Sequence, residues 1–172
     1  SNKSTIIFNI ISNNLYQNKK QRKNKMAQNT KPNIIMMVAD DMGYGDFGKF
    51  NDGYVKTPNL DSLIDESTCL SQHYSGAPVC SPARAALLTG RYSLRTGVIS
   101  PAETWGQDRI STRETTIGDY FKTIGYKTGL IGKWHNGALD SRYHPNNRGF
   151  DEFIGFRGGW ADFYEWIIEK NG

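Results

Sequence analysis

Residues 33 to 39 form the apolar segment that most restricts the fold of this chain. The segment follows Pro32 and reads N-I-I-M-M-V-A. A continuous apolar run of this length is typical of a central strand that is buried on both faces. Helix and strand patterns alternate along the rest of the chain. Together these features predict an α/β fold with a largely parallel sheet flanked by helices.

Four further elements can be placed from local patterns. A helix is expected to open at Thr57-Pro58-Asn59, because proline suits the first turn. A second helix is expected over residues 116 to 124, where apolar side chains recur on one face. Strands are expected from Tyr126 to about Lys133 and from Cys69 to Tyr74.

The charge of the chain is concentrated in its first residues. The formal net charge of the 172 residues is +4, but residues 1 to 25 hold six Lys or Arg and no acid. Subtracting these six leaves 15 basic against 17 acidic residues, or −2, for residues 26 to 172. The folded part therefore lacks the basic balance of a nucleic-acid-binding domain. Residues 1 to 28 are predicted to be a disordered basic tail. A sharper hypothesis is that the residues before Met26 are translated from sequence upstream of a true start at Met26.

No membrane span and no convincing signal peptide can be recognised in the sequence. The apolar run Ile6 to Ile11 is short and interrupted by Asn9. The only cysteines are Cys69 and Cys80, which excludes a disulfide framework and leaves a single bridge between them as one alternative.

A short helix is predicted just after Cys80, within the stretch C-S-P-A-R-A-A-L-L-T-G. Ser81 is a suitable N-cap, Pro82 suits the first helical position, and Gly90 is a natural stop. The sulfur would lie where free amide N–H groups favour anions, and Arg84, one turn later, would share its side of the helix. This arrangement predicts an oxyanion site beside a reactive group. The alternative is a small buried cysteine and a solvated arginine.

Two other segments carry side chains suited to catalysis. Asp40 and Asp41 follow the apolar run and begin the stretch D-D-M-G-Y-G-D. Adjacent carboxylates at the carboxyl end of a strand suggest a site for a hard divalent cation, although they could instead cap a loop. Lys133 and His135 end the stretch G-K-W-H and would share a face if the extended conformation persists. A solvated strand end is the alternative there.

The combination of these stretches resembles the type I sulfatases of the alkaline-phosphatase superfamily. Cys80, Pro82 and Arg84 match the core of the family signature, whereas Ala83 stands where many members have serine. D-D-M-G-Y-G-D and G-Y-K-T-G-L-I-G-K-W-H are similar to two further family motifs. The resemblance implies an alkaline-phosphatase-like α/β fold, incomplete at the C-terminus. Residues 29 to 172 would be the N-terminal portion of the catalytic domain.

The resemblance also implies a mechanism for sulfate-ester hydrolysis. Cys80 would be converted by the formylglycine-generating machinery to formylglycine, whose hydrate attacks sulfur. Ca²⁺ or Mg²⁺ would be held by Asp40, Asp41 and residue 80. Arg84 would hold the formylglycine and the charge beside the metal ion. Lys133 would bind a sulfate oxygen. His135 would contact the formylglycine hydroxyl.

Several functional points stay open at this level. The family's remaining metal ligands and its leaving-group acid cannot be located, which predicts that the chain alone has little activity. A phosphonate or phosphate ester hydrolase of the same superfamily and a non-catalytic anion-binding homologue are the rival functions. Members of the family are often secretory, lysosomal or periplasmic. The sulfated substrate itself is not identified.

Overall fold

The computed structural model describes residues 7–12 and 31–172, with side chains from residue 31 onward. The chain divides into two compact units between Tyr74 and Ser75. Each unit has its own secondary structure, and no helix in the described part of the chain is long and apolar enough to cross a membrane.

The first unit contains strands β1 (Ile7–Ser12) and β2 (Asn33–Val38), which pair antiparallel. The register sets Ile7 opposite Val38 and Ser12 opposite Asn33. β1 falls inside the predicted disordered tail, residues 1 to 28. The other residues of that segment lie outside the described ones, so disorder there stays a prediction.

The prediction that residues 33 to 39 are a strand is confirmed, but their predicted burial on both faces is wrong. Ile35 is 55% exposed and Met37 is 41% exposed. The physical reason is the pairing: within the described residues β2 has one antiparallel neighbour, β1, rather than parallel neighbours on both edges. A strand in a two-stranded ribbon cannot cover both of its faces.

The first unit also contains helix α1 (Pro58–Glu66), which begins where the Thr57-Pro58 pattern predicted. Thr57 Oγ1 accepts a hydrogen bond from the Gly48 amide (2.8 Å) and donates one to Asp61 Oδ1 (2.9 Å). Ile64 is buried on the inner face of the helix. The strand predicted from Cys69 to Tyr74 is wrong, because these residues form turns and irregular backbone.

The second unit combines three helices with a three-stranded sheet. The helices are α2 (Cys80–Thr89), α3 (Ser93–Thr96) and α4 (Ile117–Thr123). The strands are β3 (Gly129–Lys133), β4 (Glu152–Phe156) and β5 (Glu169–Lys170), in the order β3-β4-β5. β3 and β4 are parallel, whereas β4 and β5 are antiparallel. The α/β class is thus confirmed, with a mixed sheet in the described part of the chain.

The core of the second unit lies between α2 and the paired strands β3 and β4. Its buried members are Ala85, Leu88, Val98, Ile110, Trp134, Phe150 and Phe153. Trp134 follows directly after β3 and is 1% exposed. Its ring meets Phe150 edge to face, and its Nε1 donates a hydrogen bond to the Tyr143 carbonyl (2.9 Å). This packing fixes the backbone on either side of Trp134, including Lys133 and His135.

Candidate active site

Helix α2 begins with Cys80 itself, two residues before Pro82, the predicted first helical position. Val79 is the residue before the helix, in an extended conformation, and Gly90 ends it with a φ of 65°. Ser81 is therefore not the N-cap. Its buried hydroxyl instead donates a hydrogen bond to the backbone carbonyl of Asp108 (3.2 Å). Cys80 lies in the first turn, where amide N–H groups have no acceptor within the helix.

The two cysteines are both free. Cys69 is exposed and Cys80 is partly exposed. The alternative of a bridge between them is therefore not observed.

Arg84 joins α2 to the carboxyl end of β3. It lies about one helical turn after Cys80, is half-buried, and donates a hydrogen bond from Nη1 to the backbone carbonyl of Lys133 (2.6 Å). This contact spans 49 positions of sequence. It brings the Cys80 helix and the G-K-W-H stretch together within the second unit, which sequence spacing alone could not establish.

His135 leaves the extended conformation that was expected for it. Its φ is 51°, in the left-handed region that histidine adopts more often than most side chains. The backbone therefore turns after β3, so the condition under which Lys133 and His135 would share one strand face, a persisting extended conformation, is not met. His135 is 3% exposed, whereas Lys133 is half-buried. The turn is supported by a hydrogen bond from the His135 amide to the Arg157 carbonyl (3.0 Å).

The imidazole of His135 lies beside the loop that precedes α4. Its Nε2 is 3.1 Å from the Pro101 carbonyl oxygen and 3.7 Å from Glu103 Oε1, while its buried Nδ1 has no hydrogen-bond partner in the described part of the chain. Burial lowers the pKa of His135 below its ordinary value of 6.5, and Lys133 lowers it further, against the opposing effects of Pro101, Glu103 and Asp108. The ring is therefore neutral at pH 7.

Asp108 is a buried residue that the sequence analysis did not single out. It is 0% exposed, and its Oδ2 accepts a hydrogen bond from the Gly137 amide (3.1 Å). Its backbone carbonyl accepts a hydrogen bond from the Ser81 hydroxyl. Asp108 therefore connects Ser81, which follows Cys80, to the turn after His135. Burial raises the pKa of Asp108 above its ordinary value of 3.8. Its position in a loop, without a recognisable motif, offered no signal in the sequence.

Asp40 and Asp41 lie in the first unit, after β2, and both are exposed. Asp41 has a φ of 59°, which allows the chain to turn sharply at this point. Asp46 caps the following turn, since its Oδ2 accepts a hydrogen bond from the Gly43 amide (2.6 Å). Asp46 therefore caps the loop that follows Asp40 and Asp41.

Asp40 and Asp41 offer the type of ligand that a hard cation prefers. They fill only part of its coordination shell. Carboxylate oxygens are the ligands that Ca²⁺ and Mg²⁺ prefer, and Ca²⁺ takes about six to eight oxygens. Residues 31–172 contain no group of three or more His, Cys, Asp or Glu side chains placed to hold a metal. The two carboxylates would therefore need further ligands.

Comparison with known proteins identifies the family. The sequence profile of the Sulfatase family matches residues 32–171. The chain is 46% identical to dog arylsulfatase H over 142 residues, which cover 76% of this chain and 25% of that protein. It is 40% identical to rat steryl-sulfatase over 135 residues, which cover 72% of this chain and 23% of that protein. The chain thus spans about a quarter of the length of these relatives.

Solved structures agree with the sequence relatives. The PsFucS1 sulfatase from Pseudoalteromonas sp. superposes with a TM-score of 0.61 at 38% identity, over 69% of this chain and 24% of that one. Ps i-CgsB in complex with k-i-k-neocarrahexaose superposes with a TM-score of 0.66 at 32% identity, over 77% of this chain and 34% of that one. These neighbours support the alkaline-phosphatase-like α/β fold implied by the motifs. On the match over residues 32–171, the chain belongs to the sulfatase family.

Proposed function

We propose that this chain carries part of the active site of a sulfuric ester hydrolase of the arylsulfatase kind. The observation that carries the proposal is the hydrogen bond from Arg84 to the Lys133 carbonyl. It brings the guanidinium that follows Cys80 by one helical turn to the segment that bears Lys133 and His135. A sulfate monoester is anionic, so positive charge around its oxygens is the first requirement for its hydrolysis.

Cys80 is the proposed nucleophile position. Converted to formylglycine and hydrated, this residue would supply a hydroxyl that attacks sulfur and a second hydroxyl that allows sulfate to leave. Its place in the first turn of α2 favours the charge that develops there, because the Cys80 and Ser81 amide N–H groups have no acceptor within the helix. Arg84 and Lys133 would hold the anionic oxygens and keep the ester oriented. His135, neutral at pH 7, would accept a proton.

Asp40 and Asp41 are the proposed ligands for Ca²⁺ or Mg²⁺. The cation would supply positive charge that stabilises an ionised hydroxyl. With two carboxylates, the described residues provide a minority of the usual shell, and we expect Ca²⁺ to bind weakly to the 172-residue chain alone. Low hydrolytic activity of that polypeptide by itself is expected for the same reason.

The first test is mass spectrometry of protein made in a host that has the formylglycine-generating machinery. The peptide containing Cys80 should be lighter than the thiol form, with the sulfur replaced by oxygen and two hydrogens lost. An unmodified thiol in that host would contradict the proposed nucleophile and favour an anion-binding homologue without turnover.

The second test is hydrolysis of 4-nitrophenyl sulfate and 4-nitrophenyl phosphate by the full-length protein that carries this chain. Cys80→Ala and Arg84→Ala should each lower turnover of the sulfate ester at least about 100-fold, as expected when a nucleophile or a charge-stabilising donor is removed. Arg95→Ala is the matched control, because Arg95 is exposed on α3. Parent-like turnover by Cys80→Ala, or faster cleavage of the phosphate than of the sulfate, would overturn the proposal.

A further inference from the structure

The two nitrogens of the His135 ring have different surroundings, which determines where its hydrogen lies. Nε2 is 3.1 Å from the Pro101 carbonyl oxygen. A carbonyl oxygen can only accept a hydrogen bond, so Nε2 must be the nitrogen that carries the hydrogen. In a neutral imidazole the other nitrogen, Nδ1, then has the lone pair. Nδ1 is buried and has no hydrogen-bond partner among the residues that the structure describes.

Gly159 provides the space that this ring orientation needs. A Cβ at position 159 would lie 2.6 Å from His135 Nε2 and 2.9 Å from Nδ1, both closer than atoms can approach. The ring therefore packs directly against the backbone of Gly159. Any side chain at this position would push the imidazole away from the Pro101 carbonyl.

Glu103 contacts both the Gly159 backbone and the His135 ring. Its Oε1 accepts a hydrogen bond from the Gly159 amide and lies 3.7 Å from His135 Nε2. The same carboxylate packs against Gly158, where a Cβ would be 3.2 Å from Oε1. Glu103 thus holds the glycine segment against the ring, and its negative charge favours a hydrogen on the nearer nitrogen, Nε2.

We propose that Glu103 is a positioning residue for His135: by accepting the Gly159 amide hydrogen bond it holds the ring so that Nε2 carries the hydrogen and Nδ1 is the accepting nitrogen. The catalytic consequence rests on the proposed function. In a sulfatase, Nδ1 would be the atom of His135 that accepts the proton. Glu103 would act through His135 and would not itself contact the ester.

The tautomer can be measured without any activity. Two-bond ¹H–¹⁵N correlation spectra of the 172-residue chain distinguish a histidine with hydrogen on Nε2 from one with hydrogen on Nδ1. The chain has three histidines, so His73→Gln assigns one of the three sets of signals. His144 is an internal standard, because its Nδ1 accepts the Asn146 amide (3.2 Å) and its hydrogen must therefore be on Nε2.

The expected result is a single Nε2–H tautomer for His135 in the parent chain and in Glu103→Gln, whose amide oxygen can still accept from Gly159. Glu103→Ala and Gly159→Ala should give a mixture of tautomers. An Nδ1–H tautomer in the parent, or a parent-like His135 spectrum in a folded Glu103→Ala protein, would overturn the proposal. Should Glu103→Ala not fold, the parent and Glu103→Gln spectra still decide the tautomer.

Turnover separates positioning from a general effect on folding. In the full-length protein, Glu103→Ala should lower kcat for an aryl sulfate about 10- to 100-fold with KM little changed, as expected for a misplaced catalytic group. Glu165→Gln is the matched control, because Glu165 is exposed. An unchanged kcat in a folded Glu103→Ala protein would overturn the catalytic consequence. Absence of sulfatase activity in the parent would contradict the proposed function and leave the tautomer result standing.

Discussion

The two units of this chain carry their candidate functional residues in different ways. In the second unit, Arg84 is tied to the Lys133 carbonyl and His135 is 3% exposed beside the main core. In the first unit, Asp40 and Asp41 are exposed at the end of a strand that is itself largely exposed. Both sets were recognised from short motifs. The difference teaches that a motif specifies residue types, whereas packing specifies which side chains are held in place.

The largest effect should come from the core of the second unit, which supports Arg84 and His135. Phe153 is 0% exposed, so Phe153→Ala should lower the free energy of unfolding by about 3–5 kcal/mol. Ile35→Ala in β2, where the side chain is 55% exposed, should cost less than about 1 kcal/mol. Urea unfolding followed by tryptophan fluorescence and far-UV circular dichroism measures both. Equal losses for the two variants would remove the contrast between the units.

Substitutions of Asp108 test whether buried hydrogen bonds hold the candidate site of the second unit together. Asp108→Ala leaves the Gly137 amide without its acceptor and should cost about 1–3 kcal/mol in the free energy of unfolding. Asp108→Asn keeps an acceptor and removes the ionisable group whose pKa is raised by burial. That raised pKa makes the parent lose stability as the pH rises above 3.8 and through the folded-state pKa. At pH 7, Asp108→Asn should therefore be at least as stable as the parent; a loss equal to that of Asp108→Ala would contradict this account.

Substitutions of Asp41 test whether the candidate metal site of the first unit depends on backbone geometry or on the Asp41 carboxylate. The φ of 59° favours glycine, so Asp41→Ala should be less stable than Asp41→Gly by about 1–2 kcal/mol. Both variants should bind Ca²⁺ more weakly than the parent by titration calorimetry, because both lack the carboxylate. Parent-like Ca²⁺ affinity in Asp41→Gly would exclude Asp41 as a ligand.

The smallest effect concerns the pH dependence of the second unit. A hydrogen bond from Lys122, followed by the Thr128 amide, lowers the pKa of Asp151 from 3.8 to about 2. This group therefore stabilises the fold above pH 3.8, and its contribution is lost as the pH falls through about 2. Lys122→Met should raise the Asp151 pKa towards 3.8 in a carboxyl NMR titration. An unchanged titration would show that Lys122 does not hold this charge.

Much of the local structure follows from residue patterns. Pro58 predicted the start of α1, and the apolar spacing from residue 116 to residue 124 predicted α4. These signals are local, since capping residues and apolar spacing act within one or two turns of a helix. The Cys69 to Tyr74 segment shows the weakness of such patterns, because a short mixed segment without a pairing partner does not form a strand.

The candidate site was predictable in its members and not in its geometry. Cys80, Arg84, Lys133 and His135 were identified from motifs, but the turn at His135 was not, because the extended conformation of β3 gives no local sign of ending there. Asp108, Glu103 and Gly159 were missed altogether. Their roles depend on contacts between loops that are 29 to 56 positions apart in the chain.

The sequence by itself determined the family, the α/β class and the residue types of the proposed chemistry, since these are encoded in short stretches. Only the tertiary structure decided that Arg84 meets the Lys133 carbonyl and that His135 is buried, with no partner for Nδ1 among the described residues. It also decided that β2 has a single described neighbour. The physical reason is that burial and hydrogen-bond partners belong to pairs of distant segments. Packing of the whole unit brings such segments together, and no local pattern records which of them will meet.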